Sequence, residues 1–171
     1  MNISELVSIH TIGHSLKNVK VEFNNDLKLN VSDILIEGKK GEILNIPGWV
    51  ADVLQSEKHV DIKDSETLVE LKQAAMKEEV HGNFDLTILE PHFYIKIKSY
   101  MKRLPERDYV KVESLLNKLL RTRQTKIIRL ADSSKLTAEI SQKLSIEECE
   151  FYNQIHELST EFSKKIIGDK K

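Results

Sequence analysis

The first sixty residues alternate in the manner of strands. Val19, Val21 and Phe23 face one way with Lys20 and Glu22 between them, Asn24-Asn25-Asp26 supplies a turn, and Leu27, Leu29 and Val31 resume the alternation. A period of two marks a half-buried strand, so this stretch predicts a hairpin. A second pair is predicted from Ile34 to Ile36 and from Glu42 to Ile46, flanking Gly38-Lys39-Lys40-Gly41, whose glycines permit the backbone angles of a tight connection. Pro47 opens a short helix through Gln55, because proline at a first helical position gives up no intrahelical hydrogen bond. Its apolar members, Trp49, Val50, Val53 and Leu54, are spaced to cover one face of the small sheet, which makes Trp49 a core residue rather than a stacking platform.

From Asp64 onward the period becomes helical. Asp64 or Ser65 caps a segment reaching about Val80, with Leu68, Leu71, Ala75 and Met76 as its stripe and His81-Gly82-Asn83 as its end. A second helix is predicted over Pro91 to Arg103. Leu104-Pro105 interrupts it, and Pro105 with Glu106 and Asp108 begins a long third helix reaching Ala131. Ser145 and Glu148 form a capping box for a fourth, carrying Cys149, Tyr152, Ile155, Leu158 and Phe162. Gly168 and the lysines after it read as a loose tail. The expected fold class is α+β: a small N-terminal β-rich module over residues 1–60, then a larger all-α helical bundle over 61–171, with the change of period falling between 56 and 64.

Apolar residues make up 40% and charged residues 31% of the 171, so the chain folds and its surface carries both signs of charge. With 26 basic against 27 acidic side chains the net charge is -1, which supplies no global attraction to nucleic acid or anionic lipid. One cysteine, Cys149, provides neither a disulfide framework nor a thiolate metal set and reads as a small core residue. No apolar run approaches a membrane span, and Met1 to His10 lacks the marks of a signal peptide, so a cytoplasmic location is expected. Gly38-Lys39-Lys40-Gly41 has neither the spacing nor the Ser/Thr of a phosphate-binding loop. His10 and His14 are four apart but have no Cys or acidic residue nearby to complete a metal set. Glu147, Glu148 and Glu150 suit the first turn of a helix without any nucleophile beside them, and His59, His81, His92 and His156 have no partner by spacing. Neither an enzyme nor a cofactor is expected.

Charge is uneven in the centre. Between Lys96 and Arg129 stand eleven basic residues against three acidic ones, Glu106, Asp108 and Glu113. Arg107, Lys111, Lys118 and Arg129 share one side of the third helix and read as a solvated face. Arg123 does not. On the same wheel Tyr109, Val112, Leu115, Leu116, Leu119, Leu120, Ile127, Leu130 and Ala131, with Val110 and Ile128 at one margin, cover an arc of roughly 220°, about twice an ordinary core stripe. Arg123 falls near its middle and Lys126 toward its edge. A buried unpaired charge is prohibitive, so each must reach water or a carboxylate. The width of the arc favours a second subunit as cover over helices of the same chain. The alternative use for so many cations is a basic helical module that binds nucleic acid along its phosphates.

The run Leu115-Leu116-Asn117-Lys118-Leu119-Leu120-Arg121-Thr122-Arg123-Gln124-Thr125-Lys126-Ile127-Ile128-Arg129-Leu130-Ala131 resembles the long helix of archaeal GINS subunits, and Gly41 to Leu54, where a strand meets Pro47 and an apolar helix, resembles their small domain. The order of the two segments resembles the class related to the second and third partner subunits of the eukaryotic complex (Psf-two/Psf-three-like). The resemblance implies a non-catalytic scaffold that sits with the nucleoid at replication forks and associates with the MCM helicase and a RecJ-like partner. It further implies a 2:2 heterotetramer with a subunit of reverse domain order. Carried onto this chain, it makes Leu115, Leu119, Arg121, Arg123, Lys126, Ile127 and Ile128 the candidate interface or core-supporting set, and Pro47, Trp49 and Val53 a candidate docking module.

Overall fold

The computed structural model describes residues 3–31 and 34–168. They group into two compact units, one from Ser8 to Glu66 and one combining the residues up to Val7 with those from Thr67 onward. The architecture is α+β, with a small sheet-containing unit followed by a larger bundle. The tail expected after Gly168 lies outside the described residues.

The chain opens with a helix, α1 (Ile3–Ser15), where strand-like alternation was expected. Apolar residues recur there three apart, at Ile3, Leu6, Ile9 and Ile12, a helical spacing that an alternation read across sixty residues averages out. Strands β1 (Asn18–Phe23), β2 (Leu27–Val31), β3 (Ile34–Gly38) and β4 (Ile43–Pro47) follow, then α2 (Gly48–Ser56) and β5 (Val60–Ile62). β1 to β4 stand where alternation puts them and β5 is a strand that the alternation did not mark, but neither predicted hairpin forms. β1 is the centre of a three-stranded antiparallel sheet, with Val21 opposite Leu44 of β4 and Phe23 opposite Val60 of β5, while β2 pairs with β3 through Leu29 and Ile36. Long-range bonds at the end of β1 decide this. The Asn24 N–H donates to the His59 carbonyl at 2.8 Å, and the Gly41 N–H to the Phe23 carbonyl at 2.7 Å. Gly41, at φ +79°, therefore carries the chain from one sheet to the other instead of closing a hairpin.

Val21, Phe23, Ile36, Ile46, Val50, Ala51, Leu54 and Val60 form the core of this unit. Of the four α2 residues expected to cover the sheet, Val50 and Leu54 do so, joined by Ala51. Trp49 and Val53 instead face solvent at 37% and 57% exposure. A helix this short buries a single edge, and the 50/51/54 edge excludes the 49/53 edge.

In the larger unit, α3 (Ser65–Val80), α4 (Phe93–Met101), α5 (Glu106–Ser133), α6 (Ala138–Ser141) and α7 (Ile146–Ile167) form the bundle. Pro105 stands at the N-cap of α5 with Glu106 and Asp108 in its first turn. At α7 the expected capping box is present, Ser145 and Glu148 exchanging bonds of 3.3 and 3.1 Å. The buried face of α3 is Thr67, Leu71, Ala74, Ala75 and Glu78, which leaves Met76 68% exposed, contrary to the predicted stripe. Two apolar clusters lie along α5. One gathers Leu71, Phe93, Ile97, Val112 and Leu119, the other Leu86, Ile127, Ala131, Leu144 and Tyr152, with Cys149 half-buried at its edge.

Candidate subunit interface

Arg123 sits on α5 between these clusters, fully buried. Its guanidinium has five N–H donors, and every one is used. Nε and Nη2 donate to the two oxygens of Glu148 at 2.6 and 2.8 Å, Nη1 to Glu78 Oε2 at 2.7 Å and the Thr87 carbonyl at 2.9 Å, and Nη2 again to the Lys143 carbonyl at 3.0 Å. Lys126, one turn on, meets Glu78 Oε1 at 2.7 Å and donates to the Glu78 and Asp85 carbonyls. Thr87 Oγ1 donates to Glu78 at 2.6 Å, and Tyr94 Oη to Glu148 at 2.6 Å. Two cations and two carboxylates thus neutralise one another away from water, and the fork geometry of arginine joins α3, α5, α7 and the extended segment after α3.

The electrostatics follow from this packing. Burial pulls the Arg123 guanidinium down, but the hydrogen bonds and charge of Glu148 outweigh it and hold the group above its ordinary value. Burial pushes the Glu78 carboxyl up, yet Lys126, Thr87 and the Arg123 charge together bring it below its usual 4.5. Burial and the neighbouring Glu148 charge keep the Tyr94 hydroxyl well above its ordinary value, and therefore protonated.

Arg123 and Lys126 are thus buried within this chain's own bundle, where their charge is met without a second subunit. The carboxylates come from α3 and α7 of the same chain. The wheel of α5 could not show them, although both left a trace: Glu78 falls in register with Leu71 on α3, and Glu148 is the capping-box residue. Leu119 and Ile127 are buried and Leu115 half-buried in the same cores, whereas Arg121 is exposed and Ile128 is 44% exposed.

Part of the wide apolar arc does stay open. Tyr109, Leu116 and Leu120 of α5 line a groove of about 530 Å³, walled by Ile95 and Met101 of α4 and Phe151 of α7. Buried Ile127 and Glu148 are part of its lining, so the groove borders the charged cluster. Lys98, Lys102 and Glu147 also line it. Concave, largely apolar and edged by charge, the groove suits a protein side chain or helix better than a polar substrate. Among the described residues, no three His, Cys, Asp or Glu side chains gather as a metal set would.

Among the central cations, ion pairs hold Lys96 with Glu70, Lys111 with Asp108, Lys118 with Glu79, and Arg123 and Lys126 in the core. Arg107, Arg121 and Arg129 are exposed. Pro47 is half-buried at the start of α2, beside the exposed Trp49 and Val53.

Residues 56–167 match the family model Sld5, described as the GINS complex protein helical bundle domain. A search of curated proteins found no match.

Proposed function

This chain belongs to the family of GINS complex proteins that share the helical bundle domain, and we propose that it serves as a non-catalytic scaffold subunit of an archaeal GINS complex in DNA replication. The observation that carries this reading is the match over residues 56–167, which takes in the bundle from α3 to α7. The sheet-containing unit precedes the bundle, in keeping with the class related to the second and third partner subunits of the eukaryotic complex. The partner is then a subunit of reverse domain order, in a 2:2 heterotetramer. The groove on α4, α5 and α7, also lined by Val7 of α1, supports a subunit contact, because its apolar walls stay open among the described residues. Exposed Trp49 and Val53, next to Pro47, support a docking role for the small unit toward MCM or a RecJ-like protein.

Nucleic-acid binding by the bundle draws its support from exposed Lys98, Lys102, Arg107, Arg121 and Arg129, but Lys96, Lys111 and Lys118 are paired with acids of the same chain, which lowers the charge left to meet phosphates. The test is co-purification with a reverse-order subunit, followed by addition of MCM. A stable complex that raises MCM unwinding, hydrolyses no ATP itself and binds forked DNA weakly and without a steep salt dependence supports the scaffold. A metal-dependent nuclease activity in the purified chain, or tight salt-dependent binding of forked DNA by the chain alone, contradicts it.

A further inference from the structure

The last turns of α7 outrun the bundle: from Glu157 to Ile167 every residue except half-buried Ser159 is exposed. Phe151, Ile155, Leu158, Phe162 and Ile166 nevertheless share one stripe about 80° wide. Phe151 and Ile155 spend their part of it against the second core cluster. Leu158, Phe162 and Ile166 continue the same face at 65%, 65% and 70% exposure, with no cover among the described residues. An apolar face carried this far past the bundle marks an interaction surface.

We propose that the partner is the same stripe of a second copy, the two α7 helices crossing antiparallel about a twofold axis at Phe162. A twofold contact must be self-complementary, and this one is. Phe162 meets the partner's Phe162, and Leu158 meets the partner's Ile166. Charge selects the direction. Glu161 and Lys165 lie on one flank of the stripe and pair with each other at 2.6 Å within a single chain. In an antiparallel pair a flank faces its own counterpart, which places Glu161 beside the partner's Lys165 on both sides of the axis. A parallel pair would set the same flank against Ser159 and Ser163, with no charge to meet. Three apolar side chains per copy fall far short of the roughly 20–30 residues a side of a standard interface, so the contact alone is weak and depends on concentration. It uses α7 only, and its failure would leave the scaffold role standing.

Sedimentation velocity of the full chain over a wide concentration range tests it. The expected result is a reversible dimer whose dissociation constant rises at least tenfold in Phe162→Glu, with unchanged helical circular dichroism because the position is exposed. Glu161→Lys weakens the dimer, and adding Lys165→Glu to it restores the pairing. In a Cys149→Ser background, Phe162→Cys forms a disulfide-linked dimer under mild oxidation faster than Ser163→Cys does. A chain that stays monomeric at every concentration, or a dimer indifferent to Phe162→Glu, overturns the proposal. So does a Phe162→Glu chain that dimerises normally yet loses a different protein, since the stripe would then serve a heterologous partner.

Discussion

Replacing Arg123 with leucine removes the cation on which two buried carboxylates converge. Glu78 keeps Lys126 and Thr87, but Glu148 retains only the Tyr94 hydroxyl and the Ser145 N–H. Breaking one side of a buried pair costs about 3–5 kcal/mol. At about 2–4 °C per kcal/mol for a chain of this length, the melting temperature falls by roughly 6–20 °C. Arg123→Glu is worse, because a third carboxylate then shares the same dry space. The double variant Arg123→Leu with Glu148→Gln recovers part of the loss, the two positions being coupled by about 0.5–3 kcal/mol. Thermal and urea unfolding followed by circular dichroism read all three. If Arg123→Leu unfolds within about 1 kcal/mol of the parent, the value of an exposed ion pair, the guanidinium is solvated and the account of the charged core fails.

Three further outcomes are expected. The stability that Glu78 supplies is complete above its ordinary value of 4.5 and fades as pH falls through its lower folded value, so the parent loses stability in that acid range. In Glu78→Gln, urea midpoints taken across pH 2–6 change less steeply. Gly38→Ala would place a methyl 2.7 Å from ring atoms of the fully buried Phe23, costing about 1–3 kcal/mol by overpacking; an unchanged unfolding midpoint contradicts that. Gln124→Trp fills the groove from an exposed position, so it leaves the melt within about ±0.5 kcal/mol of the parent while weakening assembly with the reverse-order subunit at least tenfold in a titration.

What could be read from the chain divides by the range of the interactions. The α3, α5 and α7 helices were legible because their signals are local: Ser65 before a helical period, Pro105 with two acids behind it, Ser145 with Glu148 three residues on. The positions of β1 to β4 were legible for the same reason, and strand partners were not. The turn at Asn24 to Asp26 looks like a hairpin until the His59 carbonyl, thirty-five residues away, takes the Asn24 N–H. On α2 the apolar positions 49, 50, 53 and 54 describe two edges, and only the sheet beneath decides that Val50 and Leu54 go inward. Arg123 stood out at once as a cation in an apolar arc. Its need for a carboxylate followed from the cost of burying a charge. The source of that carboxylate did not, because Glu78 lies 45 residues distant on another helix. The open groove was foreshadowed by the width of the arc, but the part left uncovered is Tyr109, Leu116 and Leu120 rather than the part around Arg123.

The central claim is most directly tested by the native mass of the chain co-expressed with a subunit of reverse domain order, measured by size-exclusion chromatography with light scattering. The account predicts one species with the mass of two copies of each subunit, reduced to the separate components by Gln124→Trp. A chain that elutes by itself beside every reverse-order subunit offered to it would contradict the account.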